Sequence, residues 1–188
     1  MSGEARWIFG YGSLVWRPAF DFDDRAAASI EGFARRFWQG SPDHRGVPQA
    51  PGRVVTLVER AGLRCSGVAY RVAGERWPEV LDALDERESG GFERHEVALR
   101  FRDPARTPAR GLVYVAGPGN PNFLGPAPLG QIARQVAESA GSSGSNLEYV
   151  LRLDVSLREL GAPDAHVAEL AALLRGRGYD RGPSFAEE

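Results

Sequence analysis

A glutamate near the middle of the chain departs most clearly from the pattern of an ordinary surface residue. Residues 75–88 have a helical pattern, and Gly90-Gly91 would end that helix. Its apolar stripe at 3.6 residues per turn consists of Trp77, Val80, Leu81 and Leu84. Glu88 follows Leu84 by four positions and falls within this stripe. The other acids fall on the far side or the flank: Glu79, Asp82, Glu86 and Asp85.

An inward-facing carboxyl group at the C-terminus of a helix can act as a base. Burial raises its pKa, and the negative end of the helix dipole acts in the same direction. Such a carboxylate can accept a proton near neutral pH. Two alternatives stay open from the sequence: Glu88 could be paired structurally with a buried arginine, or the helix could end before it.

The stretch WIFGYGSL, Trp7 to Leu14, is the second feature suited to chemistry. Ile8 and Phe9 read as a short strand, and the following Gly-Tyr-Gly-Ser lets the backbone turn or approach a phosphate, a strand or a small substrate. A dinucleotide fingerprint is excluded, because Val15 occupies the third glycine position and Arg17-Pro18 follow where a helix should run.

Nucleophilic and metal chemistry find little support in the sequence. No G-x-S-x-G elbow occurs, and Ser13 has no histidine obviously paired with it. Cys65 lies in a strand pattern without an identifiable base, which favours a packed thiol. The histidines His44, His95 and His166 lie far apart and show no metal-ligand spacing, so we predict no metal site.

The order of elements around these residues predicts an α+β fold, because strands come first and most helices later. We expect strands at residues 54–58, 66–72, 93–101 and 112–116, with the second as partner of the first. Before the first of these strands, residues 40–52 form a long loop with three prolines and three glycines. Helices are expected at about 129–139, at 145–160 and after Pro163-Asp164, with a frayed tail beyond Gly176. The second begins with a Ser145/Glu148 capping box and ends at Gly161.

Composition limits the class of protein. The chain has 188 residues, which fits a single domain, and a formal net charge of −2 gives no sign of nucleic-acid or membrane binding. One cysteine suits a reducing compartment, and the N-terminus shows no apolar signal core. We therefore expect a cytoplasmic protein; its oligomeric state is not predicted.

Five motifs in order resemble the ChaC-like γ-glutamylcyclotransferases. They are WIFGYGSLVW, RRFWQGSPDHRGVPQAPGRVVTL, LDERESGGF, NPNFLGPAPL and GSSGSNLEYVLRL, and together they extend from about Trp7 to Arg175. The resemblance implies a small mixed β-barrel flanked by helices. It also implies a cytosolic enzyme that degrades glutathione to 5-oxoproline and cysteinylglycine without a metal or organic cofactor.

The resemblance also implies roles for particular residues. Glu88 matches the glutamate that accepts a proton in the family's R-E-x-G-G-Y motif, although Ser89 and Phe92 replace the usual Lys and Tyr around it. The loop implied to bind the γ-glutamyl group consists of Ile8, Phe9, Gly10, Tyr11, Gly12, Ser13 and Leu14. Tyr149 is favoured as an active-site tyrosine, although it could merely pack.

Three further residues are candidates for substrate binding because of their types and positions in the sequence. Arg45 could pair with a substrate carboxylate, or be an ordinary surface arginine. Gln39 and Ser41 precede it and could line the same pocket. Two other functions remain possible: a cyclotransferase for other γ-glutamyl peptides or amines, and a binding or regulatory protein without activity.

Overall fold

The computed structural model describes residues 5–176, in which five strands close into a barrel. The strands are β1 (Arg6–Gly10), β2 (Asp24–Ser41), β3 (Gly52–Val72), β4 (Glu93–Phe101) and β5 (Ala109–Val115). Their order around the barrel is β1-β3-β2-β4-β5. All neighbouring pairs are antiparallel except β1 and β5, whose parallel pairing closes the barrel and makes it mixed. The expected α+β barrel is confirmed.

Four helices and a small hairpin complete the described residues. They are α1 (Trp77–Arg87), α2 (Leu129–Glu138), α3 (Asn146–Glu159) and α4 (Ala165–Gly176), with the hairpin strands β6 (Ala140–Gly141) and β7 (Gly144–Ser145) before α3. Ser145 is the N-cap of α3, as predicted, and its Oγ accepts a hydrogen bond from the Glu148 N–H at 3.1 Å. The predicted tail beyond Gly176 lies outside the described residues. None of the helices in residues 5–176 is both long and apolar enough to cross a membrane.

The pairing expected between residues 54–58 and 66–72 is wrong. Both segments belong to the single long strand β3, which pairs with β2 along most of its length and with β1 over residues 68–72. The strand β2 was not expected from the sequence. The two strands form one bent hairpin, and residues 42–51 connect its ends at the Ser41–Gly52 pair.

Two apolar clusters position the elements that carry the candidate site. The larger one fills the barrel and joins it to α2, α3 and α4. The smaller one docks α1 against β1 and β5, through Ile8, Leu14, Val72, Trp77, Val80, Leu84 and Tyr114. Burial of these apolar side chains fixes the end of α1 beside the end of β1. The two sequence features suited to chemistry therefore meet.

Candidate active site

A cavity of about 310 Å³ opens where the end of β1, the end of α1, the 42–51 connection and α3 meet. This volume lies at the lower end of the range for small-molecule sites. Most of the residues predicted from the sequence lie on its wall: Phe9, Tyr11, Gly12, Ser13, Leu14, Ser41, Arg45, Glu88 and Tyr149. The fold therefore brings together residues that are far apart in the sequence; Phe9 and Tyr149 are 140 positions apart.

Three of the predicted residues do not line this cavity. Ile8 packs in the cluster that docks α1. Gly10 lies where the chain doubles back, and a Cβ there would come within 2.6 Å of the Leu14 Cβ. Gln39 is buried, and its Nε2 donates to the Asn120 Oδ1 at 3.0 Å. These three residues lie behind the cavity wall and support it.

Glu88 is the C-cap residue of α1, one position beyond the last helical residue. Its N–H donates to the Leu84 carbonyl at 2.8 Å, which continues the helical hydrogen bonding by one residue. The side chain is 19% exposed and lies on the cavity wall. Glu79, Asp82, Asp85 and Glu86 are exposed, as the helical pattern predicted.

The surroundings of Glu88 favour a base. Burial raises the pKa of its carboxyl group, the adjacent Arg87 guanidinium opposes this rise, and the charge of Asp43 adds to it. The carboxylate accepts no hydrogen bond from the residues that the structure describes; its ion pair with the Arg87 Nε spans 3.6 Å. The alternative of a structural pair is therefore only partly realised, because the carboxylate oxygens remain available to a ligand.

Arg87 links the two halves of the site, and the sequence analysis missed it. Its Nη2 donates to the Ser13 Oγ at 2.8 Å, and its Nη1 donates to the carbonyls of Arg17 at 3.0 Å and Pro18 at 3.2 Å. Arg87 follows Leu84 by three positions and so shares the apolar stripe of α1. That spacing was the signal that could have identified it.

The Gly-Tyr-Gly-Ser loop presents backbone to the cavity. A 3-10 turn begins at Ser13, and in the described residues the N–H groups of Gly12 and Ser13 donate to no protein group. A Cβ at Gly12 would lie 3.1 Å from the Tyr149 hydroxyl and 3.2 Å from the Val55 Cγ2. A side chain at this position would press on both groups, so glycine keeps the surface open, and the N–H groups of Gly12 and Ser13 can bind an anion.

The two tyrosines predicted for the site, Tyr11 and Tyr149, have different environments. The Tyr11 hydroxyl donates to the Tyr114 carbonyl at 2.8 Å, so its proton is committed to the fold. The ring of Tyr149 packs against Trp16 with centroids 5.5 Å apart. Burial raises the pKa of Tyr149 to about 12, so that its hydroxyl stays protonated over the physiological range.

Ser41 and Arg45 belong to one turn at the start of the 42–51 connection. The Ser41 Oγ accepts from the Arg45 N–H at 3.0 Å, which holds the turn. The Arg45 Nη1 donates to the Ser145 carbonyl at 3.0 Å, and its guanidinium lies 5.4 Å from the Tyr149 ring centroid. Arg45 is thus buried in the wall, not an ordinary surface arginine.

Asn120 holds the turn that follows Glu88, and it too was missed. Its Nδ2 donates to the carbonyls of Gly90 at 2.9 Å and Gly91 at 2.7 Å, and its Oδ1 accepts from Gln39 and from the Asn122 N–H. Gly91 has φ +85°, a conformation that favours glycine. Asn120 stands in the NPNFLGPAPL motif, but its spacing from Glu88 gave no indication of this contact.

The other candidate chemistries can be placed as well. Cys65 is buried in the barrel core away from the cavity, and burial raises the pKa of its thiol, which fits the predicted packed thiol. Within residues 5–176, no group of three or more His, Cys, Asp and Glu side chains is arranged to hold a metal ion.

Comparison with known proteins agrees with this architecture. The family model described as ChaC-like protein matches residues 6–177. The human glutathione-specific gamma-glutamylcyclotransferase 1 is 47% identical over 173 residues, which cover 91% of this chain and 78% of the human protein. The Arabidopsis thaliana gamma-glutamylcyclotransferase 2-3 is 43% identical over 178 residues, 91% of this chain and 89% of that protein.

A solved structure extends the similarity to three dimensions. The crystal structure of the yeast γ-glutamylcyclotransferase specific to glutathione superimposes with a TM-score of 0.85 and 29% identity. The match covers 93% of this chain and 97% of the yeast chain. The family model, the relatives and the shared fold lead to one conclusion: the chain belongs to the ChaC-like family.

Proposed function

We propose that this protein is a γ-glutamylcyclotransferase that converts glutathione to 5-oxoproline and cysteinylglycine. The human relative carries the name of a glutathione-specific enzyme, and so does the relative from Schizosaccharomyces pombe, at 34% identity. The proposal includes a cytoplasmic location, which the single cysteine of the chain favours.

The reaction needs no nucleophile from the protein. In a γ-glutamyl peptide, the α-amine of the glutamyl group attacks its own γ-carbonyl carbon and closes a five-membered ring. The bond from this carbon to the cysteinyl nitrogen then breaks. Because nucleophile and electrophile belong to one molecule, holding the chain in the cyclising conformation supplies much of the acceleration.

Glu88 moves the proton. The α-amine is largely protonated near neutral pH and cannot attack in that form. The ionised Glu88 carboxylate accepts a proton from the α-ammonium, and the resulting acid donates it to the departing cysteinyl nitrogen. The ring nitrogen loses a second proton as the lactam forms, and this proton passes to the released amine, which leaves as an ammonium group. The proton count is conserved, and Glu88 returns to its ionised state.

The rest of the wall binds the charges of the substrate. The Gly12 and Ser13 N–H groups can hold the α-carboxylate or the oxyanion that forms on the γ-carbon. The Tyr149 hydroxyl, close to Gly12, offers a further donor. Arg45 supplies a positive charge on the same wall that can face the α-carboxylate of the γ-glutamyl group.

One observation carries the proposal: the Glu88 carboxylate accepts no hydrogen bond from the described residues and shares a cavity wall with the bare Gly12 backbone. A buried carboxylate of this kind costs stability, which makes a purely structural role unfavourable. A binding protein without activity would not need it.

Activity of the purified protein tests the proposal directly. The protein is incubated with glutathione, glutathione disulfide, γ-glutamyl dipeptides and γ-glutamyl amines, and 5-oxoproline and the released amine are quantified. We expect glutathione to be the best substrate. If the other γ-glutamyl compounds react equally well, the enzyme is a general cyclotransferase. Absence of 5-oxoproline from every substrate would contradict the proposed function.

A further inference from the structure

Within residues 5–176, three arginines line the cavity, and the side chains of two of them bind other protein groups. Arg87 donates to Ser13 and to two backbone carbonyls, and its charge is balanced by Glu88. Arg45 donates to the Ser145 carbonyl and lies 3.9 Å from the Glu148 carboxylate. Neither guanidinium is left with an unbalanced charge.

Arg17 is the third arginine, and its side chain is uncommitted. It is exposed at the rim of the cavity, and within residues 5–176 no carboxylate lies within 4.0 Å of its guanidinium. Its backbone is nevertheless fixed at both ends of the residue. The Arg17 N–H donates to the Ser13 carbonyl at 2.8 Å, and its own carbonyl accepts from Arg87 at 3.0 Å.

Among the described residues that line the cavity, Arg17 is thus the arginine without a carboxylate partner, and Asp43 lies on the same wall. Burial lowers the pKa of both Arg45 and Arg87, and the nearby charge of Arg17 lowers each of them further. An anion bound beside Arg17 would relieve this repulsion between like charges.

The proposed substrate has an anion that none of the assigned groups uses. The γ-glutamyl end of glutathione is held by the loop at Gly12 and by Glu88, which leaves the C-terminal glycine carboxylate to extend toward the opening. We propose that Arg17 binds this C-terminal carboxylate and so gives the enzyme its preference for glutathione over substrates that lack it. This inference rests on the proposed function.

Arginine suits this role because its planar guanidinium can bind a carboxylate through two parallel hydrogen bonds. Arg45 is less suited, because its guanidinium is largely buried and already bonded to Ser145. Arg17 thus acts as a specificity-determining residue, and the groups around Glu88 act on the reacting atoms.

The test compares glutathione with its glycinamide, in which an amide replaces the C-terminal carboxylate and every reacting atom is kept. We expect the wild-type protein to prefer glutathione over the glycinamide by about tenfold in kcat/KM, the size of a charge-assisted contact at a partly exposed site. In Arg17→Gln this preference should fall to about one. Arg134→Gln, at an exposed arginine of α2 outside the cavity, should keep the wild-type preference.

Each outcome decides between the two proposals. An undiminished preference in Arg17→Gln, or a wild-type protein that does not distinguish the two substrates, overturns the role of Arg17 but leaves the cyclotransferase function standing. Loss of the preference in Arg45→Gln but not in Arg17→Gln would assign the carboxylate to Arg45. If the wild-type protein releases 5-oxoproline from neither substrate, the proposed function fails and the role of Arg17 fails with it.

Discussion

The Arg87 guanidinium donates a hydrogen bond to the Ser13 Oγ at 2.8 Å, across 74 positions of the sequence. This contact joins the end of α1 to the Gly-Tyr-Gly-Ser loop. Glu88 is the next residue after Arg87, so the same link sets where the candidate base faces the loop. The Arg87 side chain is partly buried, and its charged hydrogen bond to Ser13 is well suited to fix that geometry.

Arg87 and Asp43 act on Glu88 in opposite directions. Burial is the main cause of its raised pKa; the positive charge of Arg87 lowers that pKa, and the negative charge of Asp43 raises it. The ionised form of Glu88 is the base, so the acid limb of the pH profile of kcat/KM reports this pKa in the free enzyme.

We therefore expect two variants to move the acid limb in opposite directions. Arg87→Gln removes the charge that favours ionised Glu88, so the limb should move to higher pH, by about one pH unit. Asp43→Asn removes a charge that disfavours it, so the limb should move to lower pH. Arg87→Lys is the control that keeps the charge but loses part of the hydrogen bonding. If the acid limb moves in the same direction in Arg87→Gln and in Asp43→Asn, this electrostatic explanation is wrong.

The sequence predicted the chemistry of α1 better than the strands around it. The 3.6-residue periodicity alone isolated Glu88, because the apolar stripe extends past Leu84 to the C-cap. The strand β2 was missed because alanines and Gly32 interrupt its apolar alternation, and Gly32 has φ +83° at a bulge. An alternating pattern marks a strand but does not name its partner, which explains the wrong pairing within β3.

The same physical limit applies to the site. Gln39 was expected on the cavity wall, but the register of β2 against β3 shifts between Arg36 and Gln39. Such a shift changes which side chains face inward, and spacing along the sequence cannot reveal it. Arg87 and Asn120 act through contacts between elements that only the closed barrel brings together.

Replacement of the base should remove activity and leave the fold intact. Glu88→Gln keeps the size of the side chain but cannot accept the ammonium proton, so we expect kcat to fall by about 10²–10⁴-fold. Release of 5-oxoproline measures the effect, and Glu86→Gln, at an exposed acid of the same helix, is the matched control. A Glu88→Gln protein that works at the wild-type rate would disprove the proposed mechanism.

The same substitution should stabilise the protein at neutral pH. Because the pKa of Glu88 is raised in the folded state, its contribution to the free energy of unfolding is highest below the unfolded value, about 4.3, and is lost as the pH rises through the folded pKa. Glutamine stays neutral and avoids that loss. Thermal unfolding should show Glu88→Gln above the wild-type protein at about pH 7.5, with the difference closing near about pH 4. A difference independent of pH would argue against burial as its cause.

Asn120 should affect activity through the turn after Glu88. Asn120→Asp keeps the acceptor for Gln39 but replaces the donor to the Gly90 and Gly91 carbonyls with a negative charge. We expect a lower kcat/KM and an acid limb moved to higher pH, because the added charge disfavours ionised Glu88. Asn120→Ala lacks that charge and should lower stability by about 1–3 kcal/mol, with no such movement of the limb. Identical pH profiles for both variants would show that Asn120 is purely structural.

The hydroxyl groups of Tyr11 and Tyr149 should separate support of the fold from support of the reaction. The Tyr11 hydroxyl is bonded to the Tyr114 carbonyl, whereas the Tyr149 hydroxyl faces the bare backbone of Gly12 and stays protonated at physiological pH, since burial raises the pKa of Tyr149 to about 12. A protonated donor at this position can bind the oxyanion that forms during ring closure.

We therefore expect Tyr149→Phe to lower kcat by about 10²-fold, the usual effect of removing one oxyanion donor, with little change in thermal stability because the ring packing is kept. Tyr11→Phe leaves the buried Tyr114 carbonyl without its donor, and should lower the free energy of unfolding by about 1–3 kcal/mol. Steady-state kinetics and thermal unfolding of both variants make the comparison. If Tyr149→Phe loses stability instead of kcat, its hydroxyl serves the fold, and the oxyanion must be held by the loop N–H groups alone.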